Sequence, residues 1–418
     1  MNKTIYPSKY QRVVKAPSSK SYMQRAIAIA LLADGETQIS NADFSNDSMS
    51  ILKVAEQLGA EVHISGDQVC ILGKRDFKGK TLSAGESGLG IRTFTPIAAL
   101  FPQTIKLTGE GSLLKRPINM VETPLRDLGV TVESHNGYLP LTVSGPLKGG
   151  VAEVDGSISS QVLTGLLIAL PMAENDSLLK VNKLQSIPYI DMTLDILKAF
   201  GAQVEQENYE TFKIKGSQKY KARNYKIEGD WSGAAFHLVA GAIAGEVDVK
   251  GLNPQSLQAD RALLDALEKS GAKVEISEES IKISKAPLQA FDFDATHCPD
   301  LFPPLVVLAA ACKGETRITG VTRLYHKESN RALVLQQEMG KLGIKIKLDG
   351  DVMIIKGGEI SGGKIHSNND HRIAMAGAIA ALIASGPIEI EHAEAINKSY
   401  PGFFEDLGSS TPLAGRRT

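Results

Sequence analysis

The sequence predicts an α/β (α+β) chain of two similar domains, each made of three copies of one repeated unit. Three observations predict it. A short phrase recurs about every 70 residues: Leu58-Gly-Ala-Glu-Val62, Leu128-Gly-Val-Thr-Val132, Phe200-Gly-Ala-Gln-Val204, Ser270-Gly-Ala-Lys-Val274 and Leu342-Gly-Ile-Lys-Ile346, with a shortened sixth copy, Phe403-Phe-Glu-Asp-Leu-Gly408. A second stretch, apolar nearly all round, recurs at the same period. The 418 residues suit two to three domains at roughly 150 residues each.

Within each copy the elements follow from local pattern. The apolar stretches begin near Ser21, Gly88, Ser160, Ser232, Leu301 and Arg372, and read as interior helices because they lack a polar face. A small or polar turn follows each, then an alternating strand such as Val247-Asp-Val-Lys-Gly251. An amphipathic helix comes next; in the first copy Met49, Ile51, Leu52, Val54 and Leu58 share one face. The glycine of each recurring phrase is placed to cap that helix in the left-handed conformation, and the residues after it alternate as strands do. Six such units fill the chain, and three per domain suit the size of one core. The polar, Lys- and Tyr-rich stretch 208–225 marks the main boundary, and the small, basic residues 408–418 are expected to fray.

Bulk properties narrow the function. Hydrophobic residues make up 43% and charged residues 22% of the chain, with a net charge of -1, so no overall field recruits nucleic acid or an anionic membrane. Cys70, Cys298 and Cys312 are too scattered for a disulfide framework, and their spacing does not suggest zinc. The first residues lack the apolar run of a secretion signal, and apolar runs such as Leu305 to Cys312 are shorter than the roughly 18 residues of a membrane span. A cytoplasmic protein is the default expectation.

Chemistry enters at the starts of the interior helices. Pro17-Ser-Ser-Lys-Ser-Tyr-Met-Gln-Arg25 opens the first with good capping residues but also with Lys20 and Arg25. Cations at the positive end of a helix cost about 0.3–1 kcal/mol each, unless the same end receives an anion. Either both side chains reach solvent, or the helix start binds phosphate or carboxylate. Equivalent positions favour the second reading, because Arg92 and Arg372 repeat the misfit in Glu86-Ser-Gly-Leu-Gly-Ile-Arg92 and Asn369-Asp-His-Arg372. Ser159-Ser-Gln161, Asp230-Trp-Ser-Gly233 and Cys298-Pro-Asp300 open the remaining copies. A pocket where these starts converge would hold a ligand with more than one anionic group. Leu114-Lys-Arg-Pro117 and His326-Lys-Glu-Ser-Asn-Arg331 bring further cations; the latter also reads as a solvated helix start with Glu328 facing the dipole. Lys398 lies in a turn and would ordinarily be a surface residue. Asp300 and Glu328 are the acid/base candidates. His371 reads equally as a capping residue, and Cys298 as a small packing residue.

Taken together, Pro17-Ser-Ser-Lys-Ser with Arg25, Gly85 to Arg92, Lys115-Arg-Pro-Ile118, Asp155 to Gln161, Pro188-Tyr-Ile-Asp191, Glu228-Gly-Asp230, Pro299-Asp300, Lys327-Glu-Ser-Asn-Arg331, Asp370-His-Arg372 and Lys398 resemble the 5-enolpyruvylshikimate-3-phosphate synthase (3-phosphoshikimate 1-carboxyvinyltransferase) family of enolpyruvyl transferases, from end to end. The resemblance implies two domains of three βαβαββ units, at 16–226 and at 1–15 with 227–418, and an active site between them. It implies transfer of the enolpyruvyl group of phosphoenolpyruvate to the 5-hydroxyl of 3-phosphoshikimate by addition and elimination, the sixth step of the shikimate pathway to chorismate and the aromatic amino acids. Asp300 and Glu328 would be catalytic with Lys20 assisting. Lys20, Ser21, Arg25, Ser159, Ser160, Gln161, Ser186, Asp300, Arg323 and Lys327 would bind 3-phosphoshikimate. Lys20, Gly88, Arg116, Gln161, Arg331, Arg372 and Lys398 would bind phosphoenolpyruvate. No metal, cofactor, nucleic acid or membrane is implied, and a monomer is expected.

Some residues depart from the family pattern. Glu86-Ser-Gly-Leu-Gly-Ile-Arg92 replaces the usual Asn-Ala-Gly-Thr-Ala-Met-Arg, so Glu86 brings a negative charge toward the phosphoenolpyruvate site and Leu89 replaces a threonine. Sensitivity to glyphosate is therefore open. Arg323 stands where some members carry Asn, and Trp231 where small residues are commoner. Three alternatives remain beside this reading. A UDP-N-acetylglucosamine 1-carboxyvinyltransferase would carry a reactive Cys in the segment corresponding to Ser112-Leu-Leu-Lys115, which has none. An RNA 3'-phosphate cyclase would show a nucleotide-handling His and a more basic face. An inactive anion-binding protein of the same fold would lack some acid, base or cation that is present here.

Overall fold

A computed structural model describes residues 1–73, 80–157 and 159–408 of the chain. The expected frayed end lies, beyond Gly408, outside the described residues. The chain divides into two compact units, Ser18–Glu228 and Met1–Pro17 with Gly229–Thr418.

The unit Ser18–Glu228 holds three four-stranded sheets of one design. Asn224–Lys226, Glu36–Ser40, Gln68–Leu72 and Glu61–Ser65 form the first in that spatial order. Thr81–Ser83, Thr104–Thr108, Tyr138–Ser144 and Thr131–His135 form the second, and Val151–Asp155, Ser177–Asn182, Thr211–Ile214 and Val204–Glu207 the third. In each, the outer pair is parallel and the other pairings are antiparallel. A parallel pair needs a long crossover, and an interior helix supplies it in the second and third sheets. In the first, the parallel partner Asn224–Lys226 arrives from the far end of the unit, so the third repeat's exit strand closes the first repeat. The polar stretch 208–225 thus contains strand residues, and the chain crosses to the other unit after Glu228.

The second unit repeats the design, with the lead strand of its first sheet drawn from the chain's beginning. Tyr10–Lys15 pairs parallel with Gly245–Lys250, followed by Ser280–Ser284 and Lys273–Ile276. Asp292–Asp294, Glu315–Thr319, Val352–Lys356 and Lys345–Asp349 form the next sheet. The sixth copy is truncated: Gly363–His366 and Ile388–Glu391 are parallel, and Lys3–Ile5 completes them antiparallel in place of a hairpin.

The interior helices are Lys20–Leu32, Gly88–Ala98 and Gln161–Ala169 in one unit, and Trp231–Ala244, Phe302–Ala311 and His371–Ala381 in the other. Every residue of Trp231–Ala244 and His371–Ala381 is buried, as the absence of a polar face predicts. Each fully buried Leu or Ile contributes roughly 1.5–3 kcal/mol. Small residues let these helices approach: a Cβ on Gly165 would lie 2.7 Å from the Arg92 carbonyl oxygen. The recurring glycines do adopt the left-handed conformation, with φ of 105° at Gly59, 86° at Gly129, 88° at Gly201, 84° at Gly271 and 83° at Gly343. One amphipathic helix is shorter than the periodicity suggests. In the second repeat, Pro117 and Pro124 leave only two 3-10 turns and the six-residue helix Glu122–Asp127.

Candidate active site

In the unit Ser18–Glu228 the three interior helices are bonded to one another at their first turns. Ser87, the N-cap of the second, donates its hydroxyl to Gln24 of the first at 3.0 Å. Arg92 donates to the Gln161 side-chain oxygen, at the start of the third helix, at 2.7 Å. Arg25 of the first reaches the Thr164 hydroxyl of the third at 3.4 Å. This triangle gathers three positive helix ends, where backbone N–H groups attract anions.

Cations join that end. Lys20, the first residue of its helix, pairs with Asp47 at 2.8 Å. Arg25 is buried, and its recorded acceptors are neutral: the Thr193 hydroxyl at 2.9 Å, Ser21 O at 2.9 Å, Tyr189 O at 3.0 Å and Thr164. Burial lowers its guanidinium to about 10. A cation among neutral oxygens gains more from an incoming anion than one already ion-paired. The Arg116 guanidinium lies on the bare backbone of Gly88, where a Cβ would be 2.4 Å from Nη1. Arg116 follows the 3-10 helix Gly111–Lys115, whose Ser112 gives its backbone N–H at 2.9 Å and its hydroxyl at 3.0 Å to Glu86. The Glu86 carboxylate is thus engaged in clasping the segment that leads to Arg116. Ser159 accepts from Gln161 N at 3.2 Å, Ser160 directly precedes the third helix without a side-chain capping bond, and Ser186 is held left-handed at φ 58° before the helix Ile187–Ala199.

The other unit gathers acids as well as cations. Arg331, fully buried at the start of Arg331–Gly340, meets three carboxylates: Asp370 at 2.8 Å, Asp300 at 2.8 Å and Glu328 at 2.5 Å. Lys327 lies 3.2 Å and Arg372 3.1 Å from Asp300. Burial alone would raise the Asp300 carboxyl, but Arg372, Lys327 and Arg331 together hold it well below the usual carboxylate range. Burial lowers Lys327 despite Asp300, with the Arg331 charge and, less, the Arg323 charge adding to the effect. Burial and the neighbouring Asp300 push Asp260 up to about 7, against the pull of Arg372. Arg372 gives Nη1–H to His371 Nε2 at 2.6 Å and Nη2–H to the Ser232 hydroxyl oxygen at 2.6 Å, while its buried Nε has no partner. Because a guanidinium only donates, His371 must accept through Nε2 and carry its proton on Nδ1. Lys398 donates to Asn369 O at 2.8 Å.

The two sets differ in character. Neutral serines cap the first two helices of one unit, and Lys20, Arg25, Arg92 and Arg116 give its helix starts a cationic face. Asp230 and Asp370 cap two helices of the other, where carboxylates and cations stand interleaved. The first suits a polyanionic ligand; the second suits proton transfer beside an anion.

Several expectations change. The segment leading to Arg331 is not a solvated helix start, since Glu328 is bound to Arg331 and the cap is Asn330, which accepts from Leu333 N at 3.3 Å. Asp370, not His371, caps the sixth interior helix, accepting from Arg372 N at 3.0 Å. Lys398 is buried rather than a surface residue, and of the pair Lys115-Arg116 only Arg116 is buried. Cys298 is buried, and burial raises its thiol, as befits a packing residue. Trp231 is buried with its indole N–H on Asn253 O at 3.1 Å.

Reasoning from sequence missed Asp47, Thr193, Asp260 and the orienting role of Asp370. Asp370 left a signal, as an acid at the cap of an otherwise apolar helix. The others lie in ordinary amphipathic or turn segments, and only folding brings them to their partners.

Residues 6–407 match the family described as EPSP synthase (3-phosphoshikimate 1-carboxyvinyltransferase). A 3-phosphoshikimate 1-carboxyvinyltransferase of Clostridium perfringens is 41% identical over 411 residues, 97% of each chain. One of Methanococcoides burtonii is 38% identical over 420 residues, 98% of each. The solved EPSP synthase of Acinetobacter baumannii is similar with a TM-score of 0.83 at 27% identity, over 98% of each chain.

Proposed function

The chain belongs to the EPSP synthase (3-phosphoshikimate 1-carboxyvinyltransferase) family, and from that membership we propose how its residues divide the reaction. It transfers the 1-carboxyvinyl group of phosphoenolpyruvate to 3-phosphoshikimate, in the shikimate pathway. The cationic helix starts carrying Lys20, Ser21, Arg25, Ser159, Ser160, Gln161 and Ser186, joined by Asp300, Arg323 and Lys327, hold 3-phosphoshikimate. Gly88, Arg116, Arg331, Arg372 and Lys398, with Lys20 and Gln161, hold phosphoenolpyruvate.

The observation that carries this reading is the Asp300–Glu328 pair set among Lys327, Arg331 and Arg372. In the addition step the 5-hydroxyl oxygen bonds to C2 of phosphoenolpyruvate, its proton passes to Asp300, and Glu328 protonates the methylene carbon, with Lys20 assisting. In the elimination step the C2–phosphate oxygen bond breaks, the new methyl group returns its proton to Glu328, and the proton held on Asp300 leaves with the phosphate. Asp300 without substrate is a weak base because three cations face it. Anionic substrates that draw on those cations would raise its basicity when it is needed. The same cations stabilise charge moving onto the departing phosphate.

A cytoplasmic monomer belongs to the same reading, supported by three free cysteines and by a residue set supplied by one chain. Among the described residues no helix is long and apolar enough to cross a membrane. The test is phosphate release by purified protein. Release is expected only with phosphoenolpyruvate and 3-phosphoshikimate together, and release with UDP-N-acetylglucosamine as acceptor would overturn the assignment.

A further inference from the structure

Resting on the reading of Gly88 and Arg116 as phosphoenolpyruvate-holding residues, we propose that Glu86 is a positioning residue that sets the Arg116 guanidinium for that substrate by anchoring the 3-10 helix before it. Arg116 directly follows that helix, Gly111–Lys115, of which only Leu113 is buried. Packing therefore holds the segment weakly, and hydrogen bonds decide its position. Its N-cap residue, Glu110, makes no side-chain capping bond. Glu86 takes that place from the loop before the helix Gly88–Ala98, its Oε2 accepting from Ser112 N at 2.9 Å and from Ser112 Oγ at 3.0 Å. A carboxylate on the N–H groups of a helix start is the favourable arrangement of charge.

The fit is close. A Cβ on Gly111, whose φ is 52°, would lie 2.4 Å from the Glu86 carboxyl carbon, so the carboxylate rests on bare backbone. Glu110 N–H donates to Gly85 O at 2.7 Å, which joins the two loops a second time. Beyond Arg116 the chain is pinned by Arg92, which gives Nη2–H to Pro117 O at 2.9 Å and Nη1–H to Gly88 O at 3.4 Å. Arg116 thus lies between two anchored points, Ser112 and Pro117, with its guanidinium against Gly88 of the loop that also carries Glu86. Releasing Ser112 frees one end of that arrangement. The sign of the effect separates this role from simple charge. A Glu86 carboxylate acting directly on the substrate would repel an anion, so its removal would tighten phosphoenolpyruvate binding. Removing an anchor weakens binding instead.

The test is a double-mutant cycle over Glu86→Ala and Ser112→Ala, with Glu86→Gln as the conservative variant and Arg116→Ala as control, read by the steady-state kinetics of phosphate release. Glu86→Ala is expected to raise the phosphoenolpyruvate KM about tenfold, with kcat and the 3-phosphoshikimate KM moving less than about threefold. Glu86→Gln, which keeps an acceptor oxygen, should fall between that variant and the wild type. Ser112→Ala should raise the phosphoenolpyruvate KM about threefold alone and leave it unchanged, within about 1.5-fold, once Glu86 is already Ala. A Glu86 variant whose phosphoenolpyruvate KM equals or falls below that of the wild type, equal weakening of both substrates, or a Ser112→Ala effect of the same size in both backgrounds would each overturn the proposal. Melting curves accompany the series; should Glu86→Ala fail to fold, Glu86→Gln and Ser112→Ala decide. If Arg116→Ala leaves the phosphoenolpyruvate KM unchanged, the reading of Arg116 fails and the proposal with it; if only Arg116→Ala raises it, the proposal alone fails. A wild type that releases no phosphate would refute the assigned reaction, and the same series is then read by calorimetry with phosphoenolpyruvate, which is no longer consumed.

Discussion

Single side chains at the candidate site are constrained by contacts that a small change would break. A methyl group on Gly88 would fall 2.4 Å from Arg116 Nη1 and 2.7 Å from Cζ, so Gly88→Ala must displace the guanidinium. Steady-state kinetics of that variant should show the phosphoenolpyruvate KM raised by about tenfold or more, with the 3-phosphoshikimate KM little changed. Glu328→Gln keeps the side chain's shape and removes its exchangeable acid. Turnover is expected to fall by roughly 100-fold or more while both substrates still bind, and near-normal kcat would remove Glu328 from the chemistry. The cations at the helix starts were visible in the sequence because they violate the dipole preference there. The neutral oxygens around Arg25 were not, since Thr and backbone carbonyls in those segments violate no local rule.

At the scale of elements, the interior helix Trp231–Ala244 is tied to its surroundings by a buried histidine. Tyr10 donates to His237 Nδ1 at 2.7 Å, His237 Nε2–H meets the Tyr400 hydroxyl at 3.1 Å, and Tyr400 donates to Asp406 at 2.6 Å. Burial lowers His237 to about 3. The unfolded chain, with an ordinary histidine near 6.5, takes up its proton first as pH falls. This contribution to stability is therefore complete above about pH 6.5 and is lost progressively below it, by roughly 2 kcal/mol between pH 6.5 and 5. Urea unfolding should show that loss in the wild type and a shallower slope in His237→Leu, which will also be less stable at pH 7.5. An equal slope in the variant would assign the acid sensitivity elsewhere. The interior helices were legible because an apolar stretch without a polar face has few other solutions. The lead strands were not, being three to six residues long and paired with partners distant in sequence.

For the molecule as a whole, the units follow packing rather than chain order. The first seventeen residues belong with Gly229–Thr418, and Tyr10–Lys15 and Lys3–Ile5 supply an edge strand to two of its sheets. Removing residues 1–17 would bare two rows of backbone donors and acceptors and expose apolar side chains beneath. The shortened chain is expected to melt about 5 °C or more below the full one, or to aggregate on expression. A melting point unchanged within a degree would show that these strands are dispensable.

The sequence by itself determined the sixfold repetition, the buried helices and the cations at their starts, because hydrophobic period, glycine caps and misplaced charge are properties of neighbouring residues. Tertiary structure alone decided which carboxylate answers which cation: Asp47 with Lys20, Asp370 with Arg331, and Asp300 with Arg372. Charge pairing depends on distance in space, and residues far apart along the chain leave no periodic trace of the contact they will make.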